Sequence, residues 1–149
     1  MEGAGRTRRR VIKIRNYQHP QDYPSVYSLW ANAGEGIHLR KSDEPAEIEK
    51  KIQRDPDLFL VAENDGTIIG SVLGGFDGRR GMVYHLAVAQ EYRQNGLGAR
   101  LMEELERLLR LKGCIRAYML VASDNLEAIH FYEKRGWERM ELYSYGKNL

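Results

Sequence analysis

The chain has a single cysteine, Cys114, among its 149 residues. One thiol excludes an intrachain disulfide framework and any cysteine-rich zinc site. It suits a reducing cytoplasm. Histidine is scarce as well. His19, His38, His85 and His130 are scattered, and no two sit at the short spacing of a paired metal-ligand motif. The sequence therefore implies no metal. Long apolar runs are missing, since no stretch approaches the roughly 20 residues that span a bilayer. The early arginines are followed by Val11-Ile12-Lys13-Ile14-Arg15, too short and too charged for a secretory signal. These absences predict a cytoplasmic protein with no membrane partner.

What is present suits one folded domain. Apolar residues make up 42% and charged residues 30%, which is neither a disordered nor a membrane composition. The net charge of +2 hides an asymmetry. Arg6, Arg8, Arg9, Arg10, Lys13 and Arg15 against Glu2 give the first 15 residues +5, so the rest carries −3. Residues 1–10 read as a flexible basic arm and residues 11–149 as one domain. No aromatic residue lies between those arginines, so base stacking has no support and a nucleic-acid partner is not expected.

The β-branched run over residues 11–17 predicts a strand. Tyr23, Val26, Tyr27, Leu29 and Trp30 fall near helical spacing over 20–33, with Trp30 read as core. A second helix spans 45–54, with Ser42 or Asp43 as its cap. Three strands over 58–63, 67–73 and 82–88 are joined by short turns, the first at Asn64-Asp65-Gly66. The period then changes. Leu97, Leu101, Met102, Leu105, Leu108 and Leu109 share one helical face. A strand over 114–122, a helix over 124–135 and a last strand over 137–145 complete the order βααβββαβαβ. A strand–helix–strand unit after an antiparallel meander implies one parallel pair in a mixed sheet.

The most informative stretch is Arg93-Gln94-Asn95-Gly96-Leu97-Gly98-Ala99. It follows a buried strand and opens an amphipathic helix. Such a turn presents several backbone N–H groups at the positive end of a helix. Glycine lets a diphosphate approach where a Cβ would obstruct it. The loop is not a Walker A sequence, because no Gly-Lys-Ser/Thr follows. It is not a dinucleotide fingerprint either, because Leu101 stands where a third glycine would fall.

Arg93-x-x-Gly96-x-Gly98, after a Leu86-x-Val88 strand end, resembles the acetyl-CoA-binding motif of the GNAT superfamily of N-acetyltransferases. Asn125-x-x-Ala128-x-x-Phe131-Tyr132-x-x-x-Gly136-Trp137 resembles that family's second motif. The resemblance covers residues 11–145. The runs over 58–63 and 74–78 are also similar to small, uncharacterised bacterial acetyltransferases. The fold it implies is α/β (α+β), a mixed, twisted, splayed sheet of about six strands flanked by helices. The sheet would part between residues 82–88 and 114–122, where acetyl-CoA inserts.

The resemblance also implies roles. The backbone of Leu86, Ala87 and Val88 would pair with the pantetheine arm, and the Val88 N–H would polarise the thioester carbonyl. Arg93 and the amides of Gln94, Asn95, Gly96, Leu97, Gly98 and Ala99 would hold the pyrophosphate. Asn125 would contact the pantetheine region. Tyr132 would protonate the departing thiolate. Transfer would be direct, with Cys114 a buried small residue. Relatives carry a carboxylate base at one of two positions, occupied here by Met82 and Leu120. That leaves Tyr84, His85 or a water chain for the proton of the amine. Strict alternation places His85 on the face opposite Tyr84, Leu86 and Val88. The acceptor pocket would draw on residues 30–39 and the last strand, with Glu35, His38, Glu44 and Tyr145 available to a cationic amine. Family members are often dimers, so a homodimer is also implied. The missing carboxylates motivate a rival from another class, a non-catalytic acyl-CoA-binding sensor or scaffold.

Overall fold

The computed structural model describes residues 11–34 and 36–149. The arginine-rich arm and Glu35 lie outside the described residues. The chain forms β1 (Ile12–Asn16), α1 (Tyr23–Ala31), α2 (Pro45–Arg54), β2 (Phe59–Asn64), β3 (Thr67–Phe76), β4 (Gly81–Val88), α3 (Leu97–Leu111), β5 (Ala117–Met119) and α4 (Leu126–Glu133). Single 3-10 turns at Lys41–Asp43 and Gln90–Tyr92 precede α2 and α3.

Among the described residues the sheet has five strands in the order β1-β2-β3-β4-β5. The first four are antiparallel, and β5 runs parallel to β4. The Asp65-Gly66 turn closes the β2–β3 hairpin on the pair Asn64 and Thr67, with φ of +50° and +81°. Both central residues are left-handed, as this hairpin geometry demands.

Each face of the sheet has its own core. On one side α3 buries Leu97, Leu101, Met102, Leu105 and Leu109 against Leu58, Leu60, Ile69, Val72 and Val83. On the other, Val26 and Trp30 of α1 and Ile48 of α2 pack on Tyr17, Phe59, Val61, Leu73 and Ala87. The helix α3 lies close to β3 because glycine lines the contact. A Cβ on Gly74 would stand 2.6 Å from Leu105 Cδ1.

The predicted sixth strand is not there. Residues 137–149 form no regular element. Trp137 still packs against the α3 core, but Leu142, Tyr143 and Tyr145 are exposed. Two physical reasons apply. The apolar alternation slips by one residue between Leu142 and Tyr143, so neither face would be consistently apolar. A strand here would also have only the three residues of β5 as its ladder. The observed order is therefore βααβββαβα.

The parallel pairing of β4 with β5 covers only Gly81, Val83 and the residue between them. The strand β4 runs on for five more residues with no neighbour on that side. The sheet parts there, where the sequence predicted a splay. Just beyond this point β4 also bulges. Ser71 pairs with Ala87 but Leu73 with Tyr84, so β4 carries one extra residue. His85 absorbs it at φ +41°.

Candidate functional site

Antiparallel pairing fixes which backbone groups of β4 are spent. Ser71 and Ala87 are opposed, and the Ala89 N–H donates to the Ile69 carbonyl at 2.8 Å. Along such a strand, alternate residues turn their N–H and C=O to the same neighbour. Ala87 and Ala89 therefore face β3. Leu86 and Val88 turn their backbone groups to the parted side, which β5 does not reach. An unpaired strand edge invites another extended chain.

Beyond Val88 the chain rises into α3 through the 3-10 turn. Gln94 and Gly96 sit at φ +66° and +79°. Gly96 is the N-cap, and no side chain caps this helix. The amides of Leu97, Gly98 and Ala99 thus form an uncapped first turn. Among the described residues a Cβ on Gly96 would meet no atom within 4 Å, so they leave the space above the turn open. Gly98 serves a different purpose. Its Cβ position lies 3.3 Å from Phe131 Cζ and 3.8 Å from Val88 Cγ2, so the missing side chain lets α3 sit close to α4 and β4. The open space, the uncapped amides and the free strand edge fit a long ligand with an anionic diphosphate and an amide-bearing arm.

The guanidinium of Arg93 is engaged by the protein. Its Nε donates to the Val88 carbonyl and its Nη2 to the Ala33 carbonyl, both at 3.0 Å. It ties the segment after α1 to the end of β4. Asn125 caps α4 by accepting from the Ala128 N–H at 3.2 Å. Its Nδ2 faces the segment after α1, 3.1 Å from where a Cβ on Gly36 would stand. Tyr132 lies on α4 with edge-on contacts to Phe131 at 5.1 Å and Trp137 at 6.3 Å. Burial pushes its phenol up to about 12, so it is protonated throughout the neutral range.

On the opposite face from α3, the bulge changes the expected orientation of His85. Tyr84 lies beside Gly75 and Lys51, on the α2 side of the sheet. His85 packs edge-on against Trp30 of α1 at 4.9 Å, on the same side. One extra residue in β4 puts these two successive side chains on one face, so alternation fails against Tyr84 but holds against Leu86 and Val88, which pack on the α3 side. His85 Nε2 lies 2.8 Å from Asp43 Oδ1. Asp43 is not the cap of α2; that position is Glu44. It is only 5% exposed, and its Oδ2 accepts from the Arg40 N–H at 3.0 Å. Burial opposes its charge, yet the bonds from His85 and Arg40 prevail and hold its carboxyl below the ordinary range.

The other sequence candidates fall into clear places. Trp30 is fully buried and donates its indole N–H to Ser71 Oγ at 3.1 Å, so it belongs to the core. His38 and Glu44 are exposed on the connection between α1 and α2. Tyr145 is exposed on the tail, and Leu120 is exposed after β5. Cys114 is buried against Gly81. Among the described residues no cluster of His, Cys, Asp and Glu forms a metal-binding group, and no helix is long and apolar enough to cross a membrane.

Comparison with known proteins agrees with this geometry. The model of the acetyltransferase (GNAT) family matches residues 23–137. An acetyltransferase of Pectobacterium atrosepticum is 40% identical over 139 residues, covering 93% of this chain and 96% of its own. The crystal structure of Ard1 from Thermoplasma volcanium is 27% identical, with a TM-score of 0.73 over 84% of this chain and 81% of its own. The PaiA N-acetyltransferase of Thermoplasma acidophilum, in complex with coenzyme A, shares the fold at a TM-score of 0.77 and 22% identity, over 89% of this chain and 93% of its own. The parted sheet, the uncapped glycine turn and these likenesses lead to one conclusion: the chain belongs to the GNAT acetyltransferase family and is an N-acetyltransferase that uses acetyl-CoA.

Proposed function

We propose that the protein transfers an acetyl group directly from acetyl-CoA to a primary amine of a small molecule or protein. The observation that carries this reading is the Val88 backbone on the parted side of the sheet, beside the uncapped first turn of α3. In this reading the backbone groups of Leu86 and Val88, with Ala87 held to β3 between them, align the pantetheine arm as an added strand. The amides from Gln94 to Ala99 hold the pyrophosphate. Asn125 meets the pantetheine end from the other wall of the cleft.

The amine nitrogen attacks the thioester carbon. The carbonyl oxygen gains negative charge, and the Val88 N–H donates to it. Collapse breaks the carbon–sulfur bond and releases the coenzyme A thiolate. Tyr132 is the proton donor to that sulfur. An ordinary thiol titrates near about 8.5, well below the value to which burial raises this phenol. Tyr132 therefore first stabilises the thiolate as a hydrogen-bond donor. The proton follows when the sulfur's charge is fully developed in the desolvated cleft. Acid assistance of this kind contributes roughly 10²–10⁴-fold.

Calorimetric titration with acetyl-CoA, alongside amine-dependent thiol release, tests the reading. Saturable binding with turnover on at least one primary amine is expected. Tyr132→Phe should lower turnover about 100-fold and leave the acetyl-CoA Kd within twofold. Binding without turnover on any amine would favour the sensor reading. No binding would refute the site altogether.

A further inference from the structure

We propose that His85, oriented by Asp43, takes the proton from the attacking amine. This rests on the acetyl-transfer reading and adds the one catalytic function that the sequence leaves unfilled.

Both positions where relatives carry a carboxylate are apolar here, Met82 and Leu120. The bulge supplies a replacement by backbone geometry. A histidine at φ +41° in a strand is an uncommon conformation. It is held in place by what it reaches: a buried carboxylate 42 residues earlier in the chain, at 2.8 Å. That carboxylate has a second donor in the Arg40 amide, and Tyr23 donates its hydroxyl to the Asp43 carbonyl at 2.8 Å. The 3-10 turn is thus anchored to α1 as well as to β4.

The hydrogen bond also sets the tautomer. Asp43 is charged and can only accept, so Nε2 carries the hydrogen. The lone pair of neutral His85 then sits on Nδ1. Among the described residues Nδ1 has no protein hydrogen-bond partner, and the side chain retains 20% of its exposure. His85 lies three residues before Val88, which is about 10 Å along an extended strand and less across a bulge. One amine, or an amine and one water, spans that distance. The other ionisable or charged groups on this side include Asp43 in the 3-10 turn with Arg40 just before it, Tyr17 after β1, Tyr23 on α1, Tyr84 on β4, and Lys51 with Asp55 on α2. Lys51 and Asp55 are paired with each other, and Tyr84 is pushed up by burial and by Asp55.

The step balances without any further reagent. The nitrogen–carbon bond forms first, and the carbon–sulfur bond breaks on collapse. The amine proton moves to Nδ1 and passes from imidazolium to bulk water, while Tyr132 gives its proton to the thiolate and regains one from water. Asp43 never touches the substrate; it is a positioning residue that fixes the tautomer and the ring orientation.

The test measures thiol release from acetyl-CoA between pH 5.5 and 9.5, with spermidine, kanamycin or a short peptide with a free α-amine as acceptor. Hydrolysis with water alone is measured in parallel. Wild type, His85→Gln and Asp43→Asn are compared, with acetyl-CoA Kd and melting temperature recorded for each. The wild type should lose kcat/KM toward low pH. His85→Gln should lower kcat at least 30-fold, change the shape of that profile beyond what protonation of the acceptor amine itself imposes, and keep the acetyl-CoA Kd within twofold. Asp43→Asn keeps an acceptor for Nε2–H but can also present a donor to that nitrogen, so the tautomer is no longer fixed; its kcat should fall at least fivefold with the acetyl-CoA Kd within twofold. A His85→Gln enzyme with near wild-type kcat/KM and the same acid limb would overturn the proposal while leaving acetyl transfer intact. A wild type that binds acetyl-CoA but releases no thiol with amine or water would overturn both.

Discussion

Two glycines lie two residues apart in the turn before α3, and the structure assigns them different work. Replacing each by alanine separates a conformational effect from a ligand effect. At Gly96 the φ of +79° is left-handed, so alanine costs about 1–2 kcal/mol on folding. For a domain of this size that lowers the melting temperature by about 3–6 °C. The new methyl touches no atom of the described residues. Its other effect falls on whatever occupies the space above the turn. The acetyl-CoA Kd should rise at least tenfold. At Gly98 the backbone is helical, and alanine gains up to about 1 kcal/mol of helix propensity. Its methyl meets Phe131 at 3.3 Å, which offsets that gain. Stability should stay within about 1 kcal/mol of wild type, and Kd should change less than threefold. Thermal melts and calorimetric titration of both variants provide the test. A Gly96→Ala protein that melts lower but binds acetyl-CoA as tightly as wild type would refute the cradle. The glycine would then be needed for the turn alone.

Other outcomes follow from the same physics. The Tyr132 phenol is raised from 10 to about 12 by burial. Its neutral form is therefore favoured by folding, and that contribution is complete below pH 10 and lost as pH rises through about 12. Urea melts at pH 8 and pH 11 should show a smaller alkaline loss for Tyr132→Phe than for wild type. Arg15 grips Asp22 with bonds of 2.7 and 3.0 Å, and the Gln18 amide adds one of 2.8 Å. Burial opposes the charge of Asp22, but these donors prevail and its carboxyl lies below the ordinary range. Asp22→Asn should cost about 2 kcal/mol at pH 7. Wild type should lose this advantage as pH falls below about 4, where the unfolded carboxyl is first protonated. Gly74→Ala places a methyl 2.6 Å from the fully buried Leu105, so a loss of about 1–3 kcal/mol is expected from the urea midpoint.

The fold was legible wherever neighbours in sequence decide the structure. The apolar stripe from Leu97 to Leu109 marks α3, and the Asp65-Gly66 pair marks its hairpin. The glycine turn was legible for the same reason, because φ, capping and helix start are all local. The tail shows where that reasoning fails. Trp137 and the tyrosines look like strand material, but a strand also needs a ladder, and β5 supplies only three residues. The His85–Asp43 pair was illegible for a deeper reason. No local signal marks a bulge whose cause is the register between β3 and β4, and alternation reverses once a bulge intervenes. Asp43 read as an ordinary helix cap because its partner is 42 residues away.

Arg93 makes the two sides of the cleft thermodynamically dependent on one another. One guanidinium holds the Val88 carbonyl at the end of β4 and the Ala33 carbonyl after α1. A phosphate that draws Arg93 toward itself does so at the expense of one of those carbonyls, and the segment after α1 is released in proportion. Linkage makes the effect reciprocal: an acceptor that reorders that segment changes acetyl-CoA affinity by the same factor. Within the proposed site, the size of that coupling would be readable from the cross-dependence of the two binding constants and should vanish in Arg93→Ala.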